Sequence, residues 1–440
     1  MFIEVGFGLF TASMVTLNAT HDWRKKQREI KEIKNRFHEL MQELNLCTKG
    51  SKYTFDIYNV KEIENGFQLK INIPPGLKFE DLETHKKTIA TAFKSIISME
   101  DVRFKNILNM NVITKDIGKF EFKPIKTYPH QLYIGKTFDN KDYIIDITKA
   151  CHILVGGTTG TGKTFLLSCI LTNLIYNSSN SIEIHLSQIM KGEIGLFENC
   201  KPVKFVGKNL KEVAYDLIKV GALVDSRSKK FTELGVKNLQ HYNKHYPKSK
   251  MKRIYYIIEE ISFFMPQDAD DDITKELKSQ CWSNILTIVK AGRSSGIHFL
   301  SVTQRSTTTN LPSDVKSQLC RITMQQISAI DSRNIIECDD ACKLQERECL
   351  CYGTADTMQI IKTHWVDEDF EILNKYVPEI KIPNIKNKQS NMLNKPILVN
   401  DGIAKELPLY IKPVKKEIEI IEQIKIKPKK KMKKGMILED

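Results

Sequence analysis

A chain of 440 residues, 41% of them hydrophobic, can bury at least one large core, which excludes a disordered protein and allows roughly two to three domains of ordinary size. Lysine plus arginine (67) exceeds aspartate plus glutamate (53) by 14, so the favoured partners are polyanions, either nucleic acid or an acidic membrane face. The ten cysteines are scattered along a long chain, which argues for reduced thiols in the cytoplasm and against a disulfide framework.

Residues 1–20 are mostly apolar (Phe2, Ile3, Val5, Phe7, Leu9, Phe10) and barely long enough to span a bilayer. Arg24, Lys25, Lys26 and Arg28 follow, the flank that keeps a succeeding domain in the cytoplasm. The segment reads as a membrane anchor on the inner face of the cell membrane or as a docking helix, and both readings stay open. Across residues 21–47, Ile30, Ile33, Phe37, Leu40, Met41 and Leu44 recur at three- and four-residue steps, predicting one amphipathic helix.

Residues 48–127 change period and predict a small α+β domain. Phe67, Leu69, Ile71 and Ile73 alternate as a strand does, and Pro74-Pro75-Gly76 ends it. A helix carrying Leu82, Ile89, Phe93, Ile96 and Ile97 on one side is expected next, then a strand-like stretch from Val112 to Phe122.

Residues 128–378 predict the large domain. Short apolar strands are expected at Ile153–Val155, Ile182–Leu186, Ile254–Ile258 and Ile297–Val302, with helical stretches between them, so the sheet should be largely parallel. Near its end, Cys338, Cys342, Cys349 and Cys351 lack the paired two-residue gaps of a zinc ribbon and read as core thiols. Residues 379–440 turn to lysine, isoleucine, asparagine and proline with little period, predicting a basic and mostly disordered tail that could hold DNA or anionic lipid, while contact with a membrane or a secretion channel is expected through the N-terminus.

One motif carries chemistry directly. Gly157-Thr158-Thr159-Gly160-Thr161-Gly162-Lys163-Thr164 lies between the strand at Ile153–Val155 and a helix predicted over Phe165–Tyr176. Glycines let backbone N–H groups converge on a triphosphate where side chains would collide. Lys163 would reach the outer phosphates, and Thr164 would place its hydroxyl on Mg²⁺. ATP or GTP binding follows. The strand Ile254–Ile258 runs into Glu259-Glu260, where such enzymes hold the metal and polarise the attacking water; Glu259 would sit by Mg²⁺ and Glu260 by the water.

With these motifs placed, the chain resembles the FtsK/SpoIIIE-type DNA translocases, including the coupling ATPases of Gram-positive conjugative elements. Gly292-Arg293-Ser294-Ser295-Gly296-Ile297-His298, then Val302-Thr303-Gln304-Arg305, looks like that family's arginine-bearing turn and sensor strand, and Asp331-Ser332-Arg333 like its next box. The likeness runs from about Pro74 to Asp367. It implies an α/β, RecA-like P-loop motor with a mostly parallel sheet, behind a small α+β domain and an N-terminal helix. It further implies ATP hydrolysis with Mg²⁺, DNA as partner, and a homo-oligomeric ring expected to be a hexamer. Arg293 would reach the ATP of a neighbouring subunit, and Gln304 would sense the γ-phosphate. Lys191 and Glu193 would match a lysine and glutamate of the family, although its aspartate is missing from that turn. Glu259 stands where the family has aspartate, which leaves a nucleotide-gated ring scaffold as the alternative to a pump; a helicase or DNA-packaging ATPase is the other.

Overall fold

The computed structural model describes residues 24–25, 27–50, 52–189, 193–303, 313–354 and 358–382. The expectations placed on residues 1–20, on Lys191, on Gln304 and on the tail beyond residue 382 therefore lie outside the described residues.

Helix α1 (residues 27–43) is followed by β1 (Asp56–Ile63), β2 (Gly66–Asn72), α2 (Phe79–Glu83), α3 (Lys86–Phe93), β3 (Ile96–Asp101) and β4 (Ile107–Ile113). The strands form an antiparallel sheet in the order β1-β2-β4-β3. Side chains alternate across a strand, so Ile57, Leu69, Ile71, Ile97, Met99, Leu108, Met110 and Val112 share one face and bury against Phe37 and Met41 of α1, Leu82 of α2 and Ile89 of α3. The opposite face is polar: Gln68 donates to Asn111 at 3.2 Å, and Asn111 to Ser98 at 3.2 Å.

Two expectations for this segment are corrected. Ile96 and Ile97 belong to β3 rather than to the preceding helix. Lys94 takes the left-handed conformation (φ 48°) that terminates α3, and the β-branched pair then finds ladder partners in β4. The strand expected from Val112 to Phe122 is β4 instead, which ends at Ile113. Beyond it Glu121 makes only an isolated bridge to Trp365.

The remaining chain builds a second sheet from β5 (Gln131–Thr137), β6 (Asp142–Asp146), β7 (His152–Gly156), β8 (Ile182–Ser187), β9 (Val203–Gly207), β10 (Arg253–Ile258), β11 (Ile297–Thr303), β12 (Leu319–Thr323), β13 (Glu348–Tyr352) and β14 (Ile360–Lys362). Among the described residues their order is β6-β5-β14-β13-β12-β7-β11-β10-β8-β9. The run from β12 to β9 is parallel, and the four strands at the other edge are antiparallel. The helices are α4 (Ile147–Ala150), α5 (Lys163–Ser178), α6 (Leu210–Glu233), α7 (Leu239–His245), α8 (Asp272–Ser295), α9 (Ser313–Lys316), α10 (Ala329–Ile336) and α11 (Glu371–Asn374).

The central strands are buried on both faces, which explains their unbroken apolar runs. Alternation sends Ile153, Val155, Tyr255 and Ile257 to the core beneath α5, and Leu154, Ile254, Tyr256 and Ile258 to the core beneath α6 and α8. Each such side chain contributes about 1.5–3 kcal/mol on burial. The lead-in to the sheet is strapped to α5: Asn173 accepts the Ile125 N–H at 2.9 Å and donates to Thr127 at 2.9 Å. The small sheet meets the large one where Asn65 donates to the Phe138 carbonyl at 3.0 Å and Asn140 to Glu64 at 2.6 Å.

Candidate active site

The loop between β7 and α5 holds its glycines in the left-handed half of backbone space, with φ of 153° at Gly157, 85° at Gly160 and 96° at Gly162. A Cβ at Gly157 would lie 2.9 Å from the Thr161 hydroxyl and 3.1 Å from the Met324 Cβ, so the loop closes on itself only without one. Thr158 donates its N–H to the Gln325 carbonyl at 3.1 Å, tying the loop to the end of β12. Lys163 is buried, and its ammonium donates to the carbonyls of Gly157 at 2.6 Å and Thr158 at 2.7 Å. Thr161 donates to the Thr158 carbonyl at 2.7 Å, while Thr164, the second residue of α5, is half-buried. Lys163 is thus held over the loop backbone at the positive end of a sixteen-residue helix, a ready anion cradle.

The carboxylate pair is divided in its work. Glu259 is buried and accepts the Ile194 N–H at 2.7 Å, anchoring the turn Glu193–Phe197 that follows β8. Glu260 is half-buried; it accepts from the Ser262 hydroxyl at 2.6 Å and from the Thr303 hydroxyl at 3.0 Å. Thr303 pairs with Gly156 across β11 and β7, so Glu260 is oriented by the strand lying beside the phosphate loop. One strand separates β10 from β7, which spaces the pair about 10 Å from the loop strand at backbone level, room for a metal and a water. Among the described residues no group of three or more His, Cys, Asp or Glu could cage a metal. Mg²⁺ asks for few protein oxygens and keeps water and phosphate as its other ligands; the Thr164 hydroxyl and a carboxylate of the pair are oxygen donors of that kind.

Arg293 stands elsewhere. It lies in the last turn of α8, where Gly296 (φ 71°) caps the helix before β11 begins, and its Nε donates to the Thr148 carbonyl at 2.8 Å. Since Thr303, at the far end of β11, pairs with Gly156, Arg293 and the loop lie at opposite ends of the sheet, about 20 Å apart along the strand. With Lys149, Lys237, Arg253 and Lys290 it lines a cleft of about 570 Å³ whose lining includes no acid. Arg253 is fixed there by His298. That imidazole donates from Nδ1 to the Cys151 carbonyl at 2.7 Å and so presents Nε2 as an acceptor to the guanidinium. Burial holds His298 well below its ordinary pKa, consistent with the neutral ring.

Asp331 accepts from the Ser328 hydroxyl at 2.6 Å at the start of α10, and Arg333 pairs with Asp339. Asp331 therefore serves the start of its own helix, and Arg333 ties that helix to the segment that follows it. Cys349 and Cys351 are buried, whereas Cys338 and Cys342 are partly exposed. Sequence reasoning missed the Ile194 N–H and the Gln325 carbonyl, whose roles are backbone contacts without side-chain signature. The Thr303 hydroxyl was within reach, as the last residue of an apolar strand.

A glycine-rich loop at the carboxyl end of a parallel sheet, a lysine folded over it, and paired glutamates two strands away have the layout of a P-loop domain of the α/β class, with the mostly parallel sheet that the sequence implied. The FtsK/SpoIIIE family model matches residues 119–278, so the chain carries an FtsK/SpoIIIE-family region and the resemblance is borne out. The chain is similar to the DNA translocase FtsK of Lactiplantibacillus plantarum, at 23% identity over 311 residues, covering 66% of this chain and 38% of that protein. It is similar also to the DNA translocase FtsK of Listeria monocytogenes serovar 1/2a, at 24% over 374 residues, covering 76% and 47%. The chain thus spans less than half the length of these relatives. In fold it resembles the pCW3 conjugation coupling protein TcpA, solved in monomer form with ATPγS: TM-score 0.56, 20% identity, covering 79% of this chain and 99% of that one.

Proposed function

We propose that the chain is an ATP-driven DNA translocase working as a homo-oligomeric ring, expected to be a hexamer, in the transfer or segregation of a plasmid, phage or conjugative element. The observation that carries this reading is the separation of Lys163 from Arg293. Each copy has a complete phosphate cradle at one end of its sheet and an acid-free cationic cleft at the other, so a finger acting on ATP acts on a neighbour's. The family region and the fold shared with a coupling protein support DNA as cargo, and the net charge of +14 suits contacts to phosphates that ignore sequence.

In the reaction, the loop N–H groups and Lys163 bind the phosphates, Lys163 exchanging its carbonyl partners for the nucleotide. Glu260, held by Thr303 and Ser262, orients the attacking water and takes its proton. Arg293 of the next copy meets the charge that develops as the γ-phosphoryl leaves. Thr164 and Glu259 would hold Mg²⁺, which when bound offsets phosphate charge. Gln304 remains the proposed sensor of the γ-phosphate.

DNA-stimulated ATP hydrolysis by the full chain tests the reading, with Lys163→Ala and Glu260→Gln as controls; hydrolysis indifferent to DNA would favour the nucleotide-gated scaffold. Displacement of a third strand without opening of the duplex would separate a translocase from a helicase. Attachment to the cell membrane through residues 1–20 is a further proposal, since no helix among the described residues is long and apolar enough to cross a bilayer. Fractionation of the intact chain beside one lacking those residues checks it.

A further inference from the structure

The four-stranded sheet has two ends. At one, Glu64 and Asn65 meet the large sheet. At the other, the turn between β3 and β4 carries Phe104, fully exposed (104%) and at φ 64°, a conformation that a bulky side chain rarely adopts. Arg103 and Lys105 flank it and are exposed as well. β1 and β4 both pair antiparallel with β2, Asn72 facing Asp56 on one side and Ile107 on the other, so the segments leading into them emerge at the same end. That places Tyr53 (64% exposed), with Lys52 and Lys49, about one strand pair from Phe104. Four cations stand there against the exposed acids Asp56, Glu100 and Asp101.

Nothing inside the fold is gained from this arrangement. Phe104 covers no core, glycine would relieve its backbone, and a polar side chain would be better hydrated. We propose that the tip is a nucleic-acid contact separate from the ATP site, in which Phe104 stacks on an unpaired or locally opened base and Arg103 and Lys105 hold the phosphates on either side. An aromatic face accepts any base, and cations beside it track the backbone whatever the sequence. An anionic bilayer offers related chemistry, but the chain enters α1 at the other end of the sheet. Lys25 and Glu29 there share a cleft with Glu64 and Gly66, and α1 runs about 24 Å from that entry toward Cys47. A bilayer met at that entry faces away from Phe104.

The test uses the full chain without ATP, so it stands apart from the motor reading. Fluorescence anisotropy with labelled oligothymidine should show binding weakened about tenfold by Phe104→Ala. Arg103→Ala with Lys105→Ala should flatten the salt dependence. Phe104→Gly should weaken binding while raising Tm, which a merely structural phenylalanine would not do. Basal ATP hydrolysis should be unchanged in all three. Oligonucleotide affinity untouched by Phe104→Ala would overturn the proposal. So would loss of sedimentation with phosphatidylserine-containing vesicles in that variant, with DNA binding intact.

Discussion

Arg293 donates to the carbonyl of Thr148 at the end of the sheet opposite Lys163, so its own chain cannot deliver it to its own phosphate loop. Arg293→Ala should lower ATP hydrolysis by about 10³-fold while leaving nucleotide affinity nearly unchanged. Lys163→Ala should abolish hydrolysis through the cradle. Mixing the two inactive variants should restore part of the activity, because a mixed interface can join an intact loop to an intact arginine. Mixtures as inactive as their parents would show that the arginine does not act across copies.

Glu259 uses its extra methylene to reach the Ile194 N–H from a buried position. Glu259→Asp, although it restores the residue usual in the family, should leave that buried donor unpaired and cost about 1–3 kcal/mol in denaturant unfolding. Unfolding midpoints equal to wild type would show that the turn Glu193–Phe197 stands without it.

Glu260→Gln should keep ATP binding and lose hydrolysis by about 10²–10⁴-fold, the range of a positioned base. Thr303→Val removes a hydroxyl donor to that carboxylate and should lower kcat with little change in KM. Single-turnover kinetics distinguishes these effects from slower product release.

His185 sits beneath α6 with Nδ1 2.7 Å from Asp216 and Nε2 3.2 Å from Glu183. Burial opposes its charge, but the bonds to Asp216 and then Glu183 outweigh it and push the imidazole from 6.5 up to about 9. A folded-state pKa above the unfolded one means that this stabilisation is fully present below pH 6.5 and is lost as pH rises through about 9. Asp216→Asn should destabilise the chain by roughly 3 kcal/mol near neutrality and flatten the fall in stability between pH 6.5 and 9. Thermal unfolding across that range reads both effects.

Four of the six parallel strands were legible because burial on both faces leaves uninterrupted apolar runs: the strands expected at Ile153–Val155, Ile182–Leu186, Ile254–Ile258 and Ile297–Val302 each sit inside an observed strand, within one residue at either end, whereas β9 and β12, whose runs are broken by Lys204 and Arg321, were not expected. The antiparallel edge was not, since β13 and β14 are short and β5 and β6 mix polar with apolar residues that pattern reasoning assigns to loops. The loop from Gly157 to Thr164 and the pair Glu259-Glu260 stand where the sequence placed them, between β7 and α5 and at the end of β10, because each directly follows an apolar strand. The position of Arg293 relative to them was not readable, as it depends on which end of β11 faces which end of β7. The separate tasks of Glu259 and Glu260 likewise depend on tertiary partners, Ile194 and Thr303, far from them in sequence.

The two dissimilar ends of the large sheet also limit what an assembly can be. If the cradle of one copy meets the cationic cleft of the next, the contact is head-to-tail and has no twofold axis, so a dimer leaves one of each surface unsatisfied and growth continues. Whether growth stops depends on the step from one copy to the next: a rotation that divides a full turn with no rise along the axis closes, and any other step winds into an open helical fibre. Substitutions that tilt the cleft around Lys237 and Lys290 without weakening it should therefore change the shape of the assembly before its affinity, and electron microscopy would show filaments where closed particles are expected.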